Sequence, residues 1–175
     1  AATSIDLGAY NYNTAPHAFA NPTRYEGGNL HSFCGIDLFS QSIKDAYYAK
    51  LGDLVIKGSN VSMDPRIGEP KCGTDMQDVP GTLAGNWFAG TNNGGGVTRT
   101  QYMLALAHSL ANADMEEISL QGPDSLGGNT SMKFTPTHTG NINREWSEVF
   151  PGDLVYCYQP DQFLNGAIPI GKDGK

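Results

Sequence analysis

Apolar and polar positions alternate in short runs along this chain, and the longest run, Tyr102-Met103-Leu104-Ala105-Leu106-Ala107-His108-Ser109-Leu110, lies near its middle. At a period of two, Tyr102, Leu104, Leu106, His108 and Leu110 share one face, and Met103, Ala105 and Ala107 share the other. The Ala and Leu content also suits a helix. Its brevity and its strand-like neighbours decide for a strand.

Those neighbours are Thr3–Tyr10 with Ile5 and Leu7 on one face, Asp53–Val61 around Leu54-Val55-Ile56, and Thr82–Ala89 ending in Trp87-Phe88. Further strands are expected at Glu117–Leu120, Ser131–Thr135 and Leu154–Tyr158, the last being the strongest β signal because it is β-branched and aromatic. Turn clusters such as Asn92-Asn93-Gly94-Gly95-Gly96 and Gly122-Pro123-Asp124 separate them. The clean helix signal starts at Ser40 as N-cap, continues through Ile43, Ala46, Tyr47 and Leu51 at spacings of three and four, and ends at Gly52 as C′ residue. The pattern predicts a mainly β fold, a sandwich or barrel-like single core with one short helix near residues 40–51. The stretch 71–110 is the packing partner for the shorter segments on either side.

Composition supports that reading. A chain of 175 residues can bury one substantial core, and 22 glycines with 10 prolines favour short strands and many turns over a helical bundle. The net charge of −7, with 11 scattered Lys and Arg, argues against a nucleic-acid partner. No apolar run reaches the ~20 residues that span a bilayer, and Ala1-Ala2-Thr3 carries no signal-peptide pattern. The closing Lys172-Asp173-Gly174-Lys175 has the Asp-Gly signature of a hairpin turn, so the natural protein is expected to continue beyond Lys175.

Three cysteines (Cys34, Cys72, Cys157) stand at long, irregular spacings without C-x-x-C. With a composition rich in Asn, Gly, Thr and Tyr they point to export, extracellular or periplasmic, with one disulfide and one free thiol. Cys72 is expected to pair with Cys34 or with Cys157, since both flank elements that pack on the central stretch.

Catalytic signatures are missing: there is no G-x-S-x-G, H-E-x-x-H, phosphate loop or dinucleotide fingerprint. His31-Ser32-Phe33-Cys34 places a base near a thiol, but a structural cysteine is the simpler reading. None of His17, His31, His108 and His138 forms an H-x-H or H-x-x-x-H pair, and Asp75-Met76-Gln77-Asp78 lacks a calcium-loop pattern. No catalytic residue, metal ligand or cofactor is therefore assigned, and His108 reads as a hydrogen-bonded core histidine. Among the aromatics, Trp87, Phe88, Tyr102 and Trp146 are the candidates for a ligand-stacking surface. Asn60-Val61-Ser62 and Asn129-Thr130-Ser131 fit the glycosylation sequon.

Several stretches together resemble an uncharacterised family of secreted bacterial proteins: Ala20-Asn21-Pro22-Thr23-Arg24-Tyr25, His31 to Phe39, Glu69 to Asp78, Pro80 to Phe88, Phe134-Thr135-Pro136, Asn143-Arg144 and Val155 to Tyr158. The beginning, Ser4-Ile5-Asp6-Leu7-Gly8-Ala9-Tyr10 followed by Asn21-Pro22 and Tyr25, is similar to the closing strands of lysostaphin-type zinc endopeptidases. Those enzymes carry H-x-H where this chain has Ser4 and Asp6. The resemblance implies that residues 1–26 are the tail of a degenerate peptidase-like β domain and that 27–175 form a β-rich domain with one helix. The expected function is a non-catalytic extracellular or envelope module binding cell-wall glycan, peptide or a partner protein. The alternatives are part of a zinc peptidoglycan hydrolase-like protein whose catalytic half is missing, and a self-associating structural subunit of an extracellular assembly.

Overall fold

The structure, a computed structural model, describes residues 8–57, 60–88, 103–121, 130–152 and 154–164. Its elements run β1 (Gly8–Tyr10), α1 (Gly27–Leu30), β2 (Ser32–Cys34), α2 (Gln41–Tyr48), β3 (Gly52–Lys57), β4 (Asn60–Pro65), β5 (Gly85–Phe88), β6 (Met103–His108), β7 (Glu116–Gln121), β8 (Thr130–Phe134) and β9 (Gln162–Leu164). The fold is mainly β, as the alternation predicts. Strands β5-β6-β7-β8-β9 form a five-stranded antiparallel meander, and β1-β2 and β3-β4 are two-stranded ribbons. The described strands of the meander form an open sheet, not a closed barrel.

The central run is a strand, and its register explains the core. Leu104 pairs with Leu120, Leu106 with Ile118 and His108 with Glu116, while Gly85 and Trp87 of β5 face Leu106 and Leu104. Glu116 in turn pairs with Phe134. Alternation therefore stacks Leu106, Ile118 and Phe134 on one face, where Trp146, Leu83, Ala84, Leu104 and Tyr158 pack. Phe134 and Trp146 meet edge to face at 5.0 Å, and Tyr158 lies 4.1 Å from Trp146. Burying Phe134 completely is worth about 2–3 kcal/mol.

Three local expectations are corrected. The helix ends at Tyr48 with Ala49 as C-cap, so Gly52 opens β3 instead of capping the helix. Residues 53–61 are not one strand: β3 and β4 form a hairpin paired from Gly52–Pro65 to Lys57–Asn60. Leu154–Tyr158 is not a strand either. Its one ladder contact is the isolated bridge between Cys157 and Ile142, and Leu154 and Val155 are solvent-exposed. Pro151-Gly152 and Pro160 bracket that segment, and Pro160 has no amide proton for a ladder. The return strand beside β8 is β9 instead.

The amino-terminal segment is tied into the rest. β1 pairs with β2, Phe19 stacks on Tyr25 at 4.0 Å, and the Arg24 guanidinium lies 4.5 Å from the centre of the Phe88 ring. Buried Asp78 accepts hydrogen bonds from the Ala20 and Asn86 backbone amides at 2.8 and 3.0 Å. Residues 1–7, the Asn92–Gly96 loop and the closing Asp-Gly turn lie outside the described residues.

Candidate functional site

A pocket with a volume of about 410 Å³ sits where the segment after β4 crosses the β6–β7 connection. Sequence chemistry makes that crossing. Gln77 acts as a side-chain splint: its Oε1 accepts from the His108 amide at 2.8 Å, and its Nε2 donates to the His108 carbonyl at 3.3 Å. Ile67 bridges Asn112 in parallel fashion. Gly68 and Gly73, both at positive φ, come so near Ala113 and Leu110 that a Cβ would stand 2.7 and 2.8 Å from them. Cys72 at the centre of this segment is bonded to Cys34 of β2, with Cα atoms 5.8 Å apart. Of the two pairings expected for Cys72 this is the one present, and Cys157 is an exposed free thiol.

At the floor of the pocket His108, Glu116 and Glu145 converge. His108 ends β6 and Glu116 begins β7, directly opposite, on the face that buries Leu106 and Ile118. Glu145 immediately precedes a 3-10 turn, Trp146–Glu148, whose Trp146 is sunk in the core. The His108 Nδ1 lies 2.9 Å from the Ala113 carbonyl, which can only accept, so Nδ1 carries the proton. That bond aims Nε2 at Glu145 Oε1, 3.3 Å away, and Glu116 Oε1, 3.7 Å away. Ser147 Oγ donates to Glu145 Oε1 at 3.2 Å, and the Trp146 amide reaches Glu116 Oε1 at 3.5 Å. Glu116 is 0% exposed, and its Oε2 meets no donor among the described residues.

Burial and proximity push the three groups in different directions. Burial first, then a hydrogen bond to Glu145, raises the Glu116 carboxyl to about 8. The hydrogen bond to Glu145 raises His108 to about 9, against its partial burial and with help from the Glu116 charge. Burial pushes Glu145 upward, but its hydrogen bonds to His108 and Glu116 outweigh that and hold it down at about 2. Burial thus favours the protonated form of Glu116, while the hydrogen bonds around Glu145 favour its charged form beside His108. Around it the walls alternate polar Arg66, Thr74, Gln77 and Ser109 with apolar Pro70, Val79, Leu110 and Ala113.

The residues read as candidates from sequence are dispersed. Trp87 is 46% exposed on β5, with Nε1 donating to the Leu83 carbonyl at 2.9 Å. Phe88, the next strand residue, lies under Arg24. Trp146 is 1% exposed and belongs at once to the core and to the pocket wall. Tyr102 lies outside the described residues. Cys34 is in the disulfide and cannot act as a nucleophile beside His31. Asp75 accepts from Ser32 Oγ, and Asp78 is occupied by backbone amides.

His108 was legible as a polar residue in phase with an apolar face. Glu116, in the same phase at the start of the next strand, carries an equivalent signal that strand assignment from residue 117 passes over. Glu145 carries none, because only the tertiary path of residues 135–146 brings it there. In comparisons with known proteins, no family model matches the chain, and no curated protein or solved structure does. Among the described residues no helix is long and apolar enough to cross a membrane.

Proposed function

We propose that this chain is an exported, non-catalytic binding module that takes a short cell-wall glycan or stem-peptide segment into the pocket above His108, Glu116 and Glu145. The observation carrying this reading is the pocket. About 410 Å³ is the size of one or two sugar rings or amino-acid residues. Its wall offers donors and acceptors of both kinds between small apolar surfaces, which suits a neutral, amphipathic ligand better than a polyanion. The Cys34–Cys72 disulfide supports export, because such bonds persist in oxidising compartments. The degenerate peptidase tail over residues 1–26 belongs to the same proposal and rests on the resemblance of Ser4 to Tyr25.

The test is calorimetric titration of the protein with soluble peptidoglycan fragments, alongside a Thr74→Arg variant. Thr74 is an exposed pocket residue, so an arginine there obstructs the entrance without entering the core. The expected result is binding by the natural chain and at least tenfold weaker binding by the variant. Equal binding by both would move the ligand elsewhere.

A further inference from the structure

The floor of the pocket has a second geometry that glycan recognition does not require. We propose that His108, Glu116 and Glu145 bind one divalent cation of the borderline class, Zn²⁺ or Mn²⁺; this rests on the pocket being the ligand site but not on which organic ligand enters it.

Three observations carry the inference. The donor atoms of the three side chains all lie within 4.8 Å of one another, and they come from a strand end, a strand start and a turn, so the fold gathers them from three separate elements. The two His108 spacings are close to those of ligands around an ion. A tetrahedral ion bound at about 2.0–2.2 Å sets its donor atoms about 3.3–3.6 Å apart. His108 Nε2 stands 3.3 Å from Glu145 Oε1 and 3.7 Å from Glu116 Oε1. The neighbours also hold the ligands in place. Ala113 holds Nδ1 and so turns Nε2 toward the two carboxylates, and Ser147 orients Glu145, the role that outer hydrogen bonds play around metal-binding histidines and carboxylates.

Glu116 supplies the independent pointer. This wholly buried carboxyl has one oxygen, Oε2, that meets no donor among the described residues; carrying a charge there is costly, and a cation coordinated by Glu116 would let it do so. One imidazole with two carboxylates suits Zn²⁺ or Mn²⁺ over the softer, thiolate-preferring ions. His108 is 45% exposed, so the ion would be reached from the pocket, with coordination positions left for water or for an oxygen of the pocket's ligand.

The chelator-stripped protein is dialysed against Zn²⁺ and Mn²⁺, and bound metal is counted; one ion per chain is expected. Glu116→Gln, checked for native circular dichroism, should bind at least tenfold more weakly. Because that variant could misfold, the site is also mapped in the natural chain with Mn²⁺, whose paramagnetism broadens nearby amide signals in ¹⁵N spectra. Broadening should begin at His108, Glu116 and Trp146 at well below one equivalent. No stoichiometric uptake, or broadening centred elsewhere, would overturn the site. Unchanged affinity in a folded Glu116→Gln would do the same. Fragment binding measured in EDTA separates the two readings: fragments bound without any metal uptake overturn this inference alone, and metal uptake without fragment binding overturns the glycan and peptide reading alone.

Discussion

Asp78 and Gly85 show how closely single residues are matched here. Gly85 has φ +126, and a Cβ placed on it would lie 2.6 Å from Asp78 Oδ1. The same Oδ1 accepts the Asn86 amide. The glycine lets β5 come close enough for that bond. Gly85→Ala should therefore destabilise the protein by about 1–3 kcal/mol, read from denaturant midpoints. Nearby, burial and then the Asp78 charge push the Tyr25 phenol up to about 12, against a hydrogen bond to Asn86. An acid whose pKa is raised by folding holds its proton longer in the native state. Stability is thus unaffected by Tyr25 below pH 10 and falls between pH 10 and 12, by at most about 1.4 kcal/mol per unit. Denaturation measured across that window should show the decline, and Tyr25→Phe should flatten it. None of this was legible in the sequence, where Asp78 stood out only as part of an acidic stretch without a calcium-loop pattern. Its partners, Ala20 and Asn86, are brought to it only by the tertiary fold.

At the scale of elements, legibility follows whether neighbours in sequence or distant contacts decide the structure. The strands β6, β7 and β8 were readable because alternation and pairing agree: each apolar face meets another across the ladder. The β3–β4 hairpin was readable in principle, since Gly58-Ser59 is a two-residue hairpin signal between the paired strands. Leu154–Tyr158 failed for the opposite reason. Its propensity is high, but the Asn143 side chain takes the Gln159 amide at 2.7 Å, and Asn141 takes that of Cys157 at 2.9 Å, so its backbone bonds go to a loop. Tyr158 alone turns inward to Phe134 and Trp146. The disulfide joins two such elements, β2 and the pocket segment, across 38 residues of chain. Replacing both Cys34 and Cys72 by serine should cost about 2–4 kcal/mol. Calorimetric melting would check this, and it should weaken fragment binding too, because the loop carrying Thr74 and Gln77 loses its anchor.

As a whole, the molecule is built on a five-stranded sheet whose core face ends in a polar cluster opening to a pocket. The charge argued against a nucleic-acid partner, no apolar run reached the length of a membrane-spanning helix, and the pattern yielded a mainly β fold. Of the candidate site the sequence marked His108 alone, as a hydrogen-bonded core histidine, where the structure leaves it 45% exposed; Glu116 was passed over and Glu145 is placed by topology alone. The aromatic residues marked in sequence do not assemble into one surface, since Trp87 and Phe88 point to opposite sides of β5 and Trp146 is core. The pocket, not an aromatic platform, is therefore the part of the molecule that binding should report on. The direct measurement is a ¹⁵N spectrum of the protein titrated with peptidoglycan fragments. The account predicts shift changes that saturate and concentrate on Gly73, Thr74, Gln77, His108, Ser109 and Ser147. Changes confined to the surroundings of the exposed Trp87 side chain, or none at saturating fragment, would contradict it.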